Sequence, residues 1–144
     1  MDSIQRRHIN SGAPAELLVA RRLTELGYVV SFPFFAKASY DLIADTELKL
    51  VRVQLKTIYL GKTKHGQSWM MDFQKPKGIS CKIEKYSEKD CDYIVGACPE
   101  KDACYVFPIQ EVLEKRQATF YFDTAPHANA RNTGWSDSFK ELWF

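Results

Sequence analysis

The sequence lacks the features that would assign this chain of 144 residues to a membrane, fibrous or secreted class. No apolar run approaches the roughly 20 residues that a membrane-spanning helix needs, and residues 1–7 contain no apolar core of a secretory signal. Glycine and proline are scarce, with 7 and 6 residues, which excludes collagen-like and low-complexity chains. A length of 144 residues and a hydrophobic share of 45% instead predict one globular domain over residues 1–144.

Paired metal ligands are also missing. The chain has 4 cysteines and 3 histidines, but none of them form the closely spaced pairs that are typical of structural zinc sites. Cys98 and Cys104 lie in apolar, strand-like runs, where a reduced cysteine behaves as a small hydrophobic residue. We therefore expect no structural zinc.

The net charge of only +2 hides an asymmetry along the chain. Residues 56–91 contain 8 lysines and 4 acidic residues, whereas residues 92–144 contain 5 basic and 8 acidic residues. A basic segment of this kind favours an anionic partner. A solvated, lysine-rich hairpin explains the same counts, so charge alone leaves both interpretations open.

Hydrophobic periodicity predicts an α/β fold. A helix over Ala13–Leu26 ends at Gly27, and its apolar residues recur at helical spacing. The buried stripe of this helix is predicted at Ala15, Val19, Ala20, Leu23 and Leu26. Strands are predicted at residues 28–32, 40–44, 48–58, 69–73, 92–98 and 104–108, and a short helix at 109–116. A helix followed by a mixed sheet and a further helix is typical of α/β proteins.

The predicted hairpin of residues 40–58 places several polar side chains on one face. A symmetric turn centred between residues 46 and 47 pairs Asp41 with Arg52. Because side chains alternate along a strand, Asp41, Gln54 and Lys56 share a face. The opposite face carries apolar residues that suit the core, namely Val51, Val53 and Leu55.

Glu16 is a second unusual residue, because it lies one turn before Val19 on the stripe that is predicted to be buried. Taken alone, this position is explained better by stabilisation of the carboxylate by the helix dipole than by a bound cation. Together, Glu16 and Asp41 supply acidic groups for a hard cation, and Lys56 supplies a positive charge for a developing negative one. Metal-assisted phosphodiester hydrolysis needs these two components.

The order Glu16, Asp41, Gln54 and Lys56 resembles the PD-(D/E)XK nuclease superfamily, and most closely its group I intron-encoded homing endonucleases of cyanobacteria. The similar segments are Ala15-Glu16, residues 27–30, 40–43 and 53–57, and later 92–95, 98–99 and 106–109. They cover residues from about 12 to 113. The family's proline is absent before Asp41, and Gln54 stands where a carboxylate is commonest. The homing endonuclease branch is similar in having glutamine at that position.

The resemblance implies a restriction-endonuclease-like core with a central mixed sheet flanked by helices. It implies that Asp41 is the central metal ligand, with Glu16 and the carbonyl of Leu55 completing the metal site. Lys56 would act on the attacking water or the transition-state charge, and Gln54 would position water or bind the ion weakly. The implied cofactor is Mg²⁺, with Mn²⁺ able to substitute.

The resemblance also implies a function: metal-dependent, site-specific cleavage of double-stranded DNA in the cytoplasm. A lysine-rich insertion around residues 60–90 is expected to contact DNA through Lys62, Lys64, Lys75, Lys77, Lys82 and Lys85. A long target calls for a homodimer or homotetramer, for which residues 125–144 offer Phe139, Leu142, Trp143 and Phe144, although packing in the core is equally expected of them. A Holliday-junction resolvase, a restriction-type nuclease and a non-catalytic DNA-binding module remain the alternatives.

Overall fold

The computed structural model describes residues 12–35, 37–75, 83–122 and 134–144. Its elements in chain order are α1 (Ala13–Glu25), β1 (Val29–Ser31), β2 (Leu42–Asp45), β3 (Leu50–Thr57), β4 (Tyr59–Thr63), β5 (Gly66–Asp72), β6 (Tyr93–Cys98), β7 (Ala103–Pro108), α2 (Ile109–Val112) and β8 (Gln117–Phe120). Short 3₁₀ turns occupy Pro99–Lys101 and Ser136–Phe139. Within the described ranges, no helix is long and apolar enough to cross a membrane.

Helix α1 begins and ends where the sequence predicts. Pro14 lies in its first turn, where a missing backbone N–H leaves no hydrogen bond unmade. Gly27 adopts a φ of 85°, and the N–H of Tyr28 closes the helix by donating to the carbonyl of residue 23 at 3.0 Å. The buried side chains are Ala15, Val19 and Leu23. The predicted burial of Leu26 is wrong, since this residue is 47% exposed beyond the last helical turn.

Five strands form the central sheet in the order β1-β2-β3-β6-β7. Neighbouring strands are antiparallel except for β3 and β6, which run parallel, so the predicted α/β fold with a mixed sheet is confirmed. Strands β4, β5 and β8 form a second, antiparallel sheet. Strand β4 escaped the prediction because it buries neither face and so shows no apolar alternation.

Two apolar cores lie on opposite faces of the central sheet. One packs α1 against alternate residues of β2 and β3 and against β6 and β7. The other fills the space between the central sheet and the three-stranded sheet. Gly96 of β6 permits this close approach, because a Cβ atom there would collide with the sulfur of Met71 on β5. The helical layer therefore covers one face of the sheet, and a second sheet covers the other.

The C-terminal residues pack within the chain. Phe139 lies 5.0 Å from Phe107, centroid to centroid, and Phe144 lies 4.8 Å from Tyr93. Trp143 is half-buried against the α1 core, and only Leu142 remains mostly exposed, at 57%. Of the two roles expected for these four residues, the structure assigns intramolecular packing to three. The preceding residues 123–133 lie outside the described part of the chain.

Candidate active site

The β2–β3 hairpin sets the geometry of the site. Ile43 pairs with Arg52, and Glu47 takes a φ of 69° in the turn. The predicted pairing of Asp41 with Arg52 is therefore wrong by two residues, because the turn is centred one residue later. A shift of two residues leaves every side chain on its predicted face. It also brings Asp41 opposite Gln54, which a one-residue shift could not do.

The Asp41 carboxylate is bound tightly by the next strand. Its Oδ2 atom accepts hydrogen bonds from the side-chain Nε2 of Gln54 and from the backbone N–H of Leu55, both at 2.7 Å. Nε2 of Gln54 also donates to the carbonyl oxygen of Leu55 at 3.3 Å. The amide nitrogen of Gln54 thus contacts two of the three groups that were predicted to bind metal, Asp41 and the Leu55 carbonyl.

This arrangement fits a cation. An NH₂ group carries partial positive charge, and here it contacts a carboxylate oxygen and a carbonyl oxygen together. Burial raises the pKa of Asp41 above its ordinary value, against the opposing effects of the Leu55 N–H and the Lys56 ammonium. A positive charge close to these oxygens would therefore be stabilised. The atoms that could coordinate a cation here are all oxygens, which are the ligands that Mg²⁺ and Mn²⁺ prefer.

Lys56 lies on the same face of β3 but is held by other partners. Its Nζ donates to the backbone carbonyl of Gln74 at 2.8 Å and lies 5.1 Å from the ring centroid of Tyr86. Burial lowers the pKa of Lys56, and the nearby carboxylates of Asp72 and Asp41 oppose that effect. Lys56 is therefore a half-buried, fixed ammonium and not the solvated lysine that a strand end usually carries.

Tyr86 and the backbone carbonyl of Gln74 are parts of the site that the sequence did not reveal. Both belong to the segment after β5, where Lys75 donates its backbone N–H to the Glu84 carbonyl at 2.9 Å. That segment is polar and lysine-rich and shows no periodicity, so the contacts of its described residues with β3 were not predicted. The one available signal was Tyr86 itself, a lone aromatic residue among charged neighbours.

Glu16 is the predicted site residue that the structure does not bring into contact with the others. It lies in the first turn of α1 with its backbone N–H bound to the Gly12 carbonyl at 3.0 Å. No described hydrogen bond or ion pair joins its carboxylate to Asp41. Across the described residues, no three His, Cys, Asp or Glu side chains come close enough together to hold a metal ion. The oxygen that the structure brings beside the Asp41 carboxylate is the Leu55 carbonyl, since both accept from Nε2 of Gln54.

The predicted DNA-contacting lysines divide into three groups. Lys62, Lys64 and Lys85 are exposed. Lys75 is engaged inside the chain, since its Nζ lies 3.0 Å from Oδ1 of Asp90 and 5.8 Å from the Tyr86 ring centroid. The remaining two, Lys77 and Lys82, lie outside the described residues.

Comparisons with known proteins give a family match, a related phage protein and structural matches. A family model described as PD-(D/E)XK endonuclease matches residues 8–142. Protein 5.3 of Escherichia phage T7 is 30% identical over 94 residues, which are 65% of this chain and 75% of that protein. The structure of the bacterial homing endonuclease I-Ssp6803I superposes with a TM-score of 0.75 at 23% identity, over 92% of this chain and 87% of that chain. The superposition on MepB has a TM-score of 0.45 at 13% identity, over 78% of this chain and 83% of that chain, which is too remote to support an argument.

Proposed function

Because the chain belongs to the PD-(D/E)XK endonuclease family, we propose that it hydrolyses phosphodiester bonds of double-stranded DNA with Mg²⁺ or Mn²⁺ as cofactor. The observation that supports this most directly is the contact of Asp41 with Leu55 and Gln54 at 2.7 Å, beside the fixed ammonium of Lys56. Such a row offers oxygens to a cation and a positive charge to a phosphate. The proposed specificity is that of an intron-encoded homing endonuclease, a long and particular target site.

Each residue has a separate task in this proposal. Asp41 and the carbonyl of Leu55 would hold the cation, and Glu16, which makes no described hydrogen bond or ion pair with either, would join its ligands through a water. A cation bound there supplies Lewis-acid polarisation of the phosphate and a lowered pKa for water. The side-chain amide of Gln54 would rotate so that its oxygen, instead of its nitrogen, faces the cation. Lys56 stabilises the negative charge that develops on the phosphate oxygens.

The test is cleavage of a random-sequence duplex library in Mg²⁺, comparing the parent with Asp41→Ala and Asp45→Ala. Asp45 lies on the same face of the hairpin, and among the described residues its carboxylate accepts from the turn, at 2.9 Å from the backbone nitrogen of Glu47. We expect cleavage by the parent and by Asp45→Ala, and none by Asp41→Ala. Cleavage that survives Asp41→Ala would show that the site lies elsewhere. A second arm with four-way junctions detects a junction resolvase, which would cut them whatever their sequence.

One observation favours a non-catalytic DNA-binding module as the second candidate. The amide nitrogen of Gln54 contacts the oxygens that a cation needs, and a carboxamide holds Mg²⁺ less strongly than a carboxylate does. In that case the parent would bind duplex DNA tightly without Mg²⁺ and leave the library intact. The same library and a filter-binding measurement therefore distinguish the two candidates.

Exposed lysines support DNA binding in both cases. Lys62 and Lys64 lie on the β4–β5 hairpin and Lys85 precedes the Tyr86 ring, all of them exposed. Phosphate contacts make affinity depend on salt, with a log–log slope of about −0.9 for each phosphate neutralised. We expect Lys62→Gln with Lys64→Gln to reduce that slope by about two, whatever the DNA sequence. Lys75 is expected to contribute little, because Asp90 already pairs with it.

Self-association is also proposed, because a subunit of this size covers little DNA. Large apolar side chains remain exposed in the loop after β1, where Phe34 is fully exposed and Phe35 is 71% exposed. Exposed apolar groups of this size favour contact between copies. Sedimentation equilibrium of the parent and of Phe34→Ser with Phe35→Ser tests this, and we expect the variant to shift toward monomer.

A further inference from the structure

The ring of Tyr86, in the segment before β6, lies beside the row of Asp41, Gln54 and Lys56, which we call the catalytic row. Tyr86 is only 6% exposed and belongs to the core between the two sheets. The ammonium of Lys56 lies over its ring at 5.1 Å from the centroid, and that of Lys75 lies over it at 5.8 Å. The ring therefore contacts the one lysine to which the proposed chemistry assigns a role.

The backbone around Tyr86 is fixed on both sides. On one side, Gln74 forms a β-bridge with Lys85. On the other, Asp90 accepts the backbone N–H of Ser87 at 2.8 Å and pairs with Lys75 at 3.0 Å. Tyr86 is thus held by neighbours that do not themselves belong to the catalytic row.

Arg52 of β3 forms hydrogen bonds that connect the central sheet to the segment that carries Tyr86. Its guanidinium donates to the carbonyls of Glu88 and Lys89 at 2.9 and 2.8 Å and to the carboxylate of Asp92. Arg52 lies two residues before Gln54 on the same face of β3. Arg52 therefore connects the strand that carries Gln54 and Lys56 to the segment that carries Tyr86.

The face of an aromatic ring suits a lysine whose ammonium must stay charged and free to contact a phosphate. The face of an aromatic ring carries partial negative charge and attracts an ammonium without forming an ion pair. A carboxylate in the same place would neutralise Lys56 and compete with the phosphate for it. A lysine side chain is otherwise flexible, so the ring and the Gln74 carbonyl together restrict where its ammonium lies.

We propose that Tyr86 is a positioning residue, whose ring face holds the Lys56 ammonium beside Asp41 for action on the scissile phosphate. The inference rests on the proposed nuclease function for its catalytic consequence, but the contact itself is independent of that function. Because the ring supplies the attraction, Tyr86→Phe preserves positioning. Tyr86→Leu keeps an apolar side chain in the core and removes the ring.

The kinetic test compares Tyr86→Leu and Tyr86→Phe with the parent, and uses Phe120→Leu as the control. Phe120 is a buried ring of the same core that packs 4.5 Å from Tyr105, and no contact joins it to Lys56. We expect Tyr86→Leu to lower kcat about tenfold, the size of one cation–π contact, with KM for DNA unchanged. Tyr86→Phe and Phe120→Leu should retain the parent kcat. Equal losses in Tyr86→Leu and Phe120→Leu, or equal losses in Tyr86→Leu and Tyr86→Phe, would overturn the proposal.

A second measurement does not depend on cleavage. In protein labelled with ¹³C-lysine, the ε-methylene protons of Lys56, assigned through Lys56→Met, should resonate upfield of those of exposed lysines such as Lys62 and Lys64, because the Tyr86 ring shields them. The shift should persist in Tyr86→Phe and disappear in Tyr86→Leu. An ordinary Lys56 shift in the parent would overturn the positioning contact. An upfield shift in a protein that cuts no DNA would keep the contact and reject the proposed function instead.

Discussion

The two faces of strand β3 differ completely in what they do, although their residues alternate along one short segment. Val51, Val53 and Leu55 point toward α1 and are at most 7% exposed. Gln54 and Lys56 point the other way, and their polar groups bond to Asp41, to the Leu55 carbonyl and to the Gln74 carbonyl. The first face holds the fold together, and the second holds reactive groups in place. A strand achieves both because its side chains alternate.

The comparison also shows where the stability of the site originates. The apolar face requires no particular partner beyond packing volume, whereas each polar group on the other face requires a donor or acceptor at a defined distance. Changes on the apolar face should therefore reduce stability and spare chemistry. Changes on the polar face should do the opposite, and four predictions test this contrast.

The largest expected effect is that of Lys56→Met on cleavage. Methionine keeps the apolar stem of the side chain and removes the charge, so kcat should fall by about 10² to 10³ while the unfolding free energy changes by less than about 1 kcal/mol. Single-turnover cleavage and urea unfolding measure the two quantities. Lys49→Met, at an exposed lysine just before β3, is the control and should change neither. A kcat within twofold of the parent would remove Lys56 from the mechanism.

Leu23→Ala should have the opposite effect, lowering stability and sparing cleavage. Leu23 is fully buried between α1 and the sheet, so its truncation should lower the unfolding free energy by about 2 to 5 kcal/mol. Cleavage per folded molecule should stay at the parent level. Leu17→Ala on the same helix, where the side chain is 71% exposed, should leave stability almost unchanged. Selective loss of cleavage in folded Leu23→Ala would contradict the separation of the two faces.

Gln54→Glu should strengthen cation binding. It replaces the amide that contacts Asp41 at 2.7 Å with a second carboxylate, so the cation-free protein loses a hydrogen bond and gains repulsion. We expect about tenfold tighter binding of Mn²⁺ in calorimetry, because a charged oxygen binds a hard cation better than a carboxamide does. Gln54→Met, which offers no oxygen, is the matched control. An unchanged affinity in Gln54→Glu would mean that residue 54 does not face the cation.

The smallest expected effect concerns the Arg52–Asp92 pair, which is 2.9 Å long. Burial alone would raise the pKa of Asp92, but hydrogen bonds and charge from Arg52 outweigh burial and hold this pKa below its ordinary value. The pair therefore stabilises the fold above the unfolded-state pKa of Asp92 and loses this effect as pH falls through the lower, folded-state pKa. Asp92→Asn should cost about 1 kcal/mol or less at pH 7.

The cost of Asp92→Asn should shrink as the pH falls through the folded-state pKa of Asp92, below which both proteins carry a neutral side chain at this position. Urea unfolding of parent and variant at pH 7 and at an acidic pH below that pKa measures the difference. A cost that stays the same at both pH values would show that the ion pair does not contribute through charge.

Much of the fold could be predicted because local patterns were strong. Helix α1 has a proline in its first turn and a glycine just past its end, and its buried residues recur at helical spacing. The face shared by Asp41, Gln54 and Lys56 followed from alternation, which a two-residue error in register leaves intact. The register itself was missed, because it depends on a turn whose Glu47 takes a left-handed conformation.

The parts that escaped prediction involve partners distant along the chain. Lys56 meets Gln74 and Tyr86, 18 and 30 residues later in the numbering, and nothing local to either segment indicates this contact. The same holds for Phe144, whose backbone carbonyl accepts the hydroxyl of Tyr28 at 2.6 Å. Strand β4 was missed for a different reason, since it buries neither face.

The sequence by itself therefore determined which side chains of the β2–β3 hairpin share a face and which chemistry they offer, because alternation is a property of any extended chain. Only the tertiary structure decided what lies opposite that face. It placed Tyr86 and the Gln74 carbonyl around Lys56 and engaged Lys75 with Asp90. The physical reason is that packing between distant segments depends on the shape and volume of the whole core, which no short stretch of sequence contains.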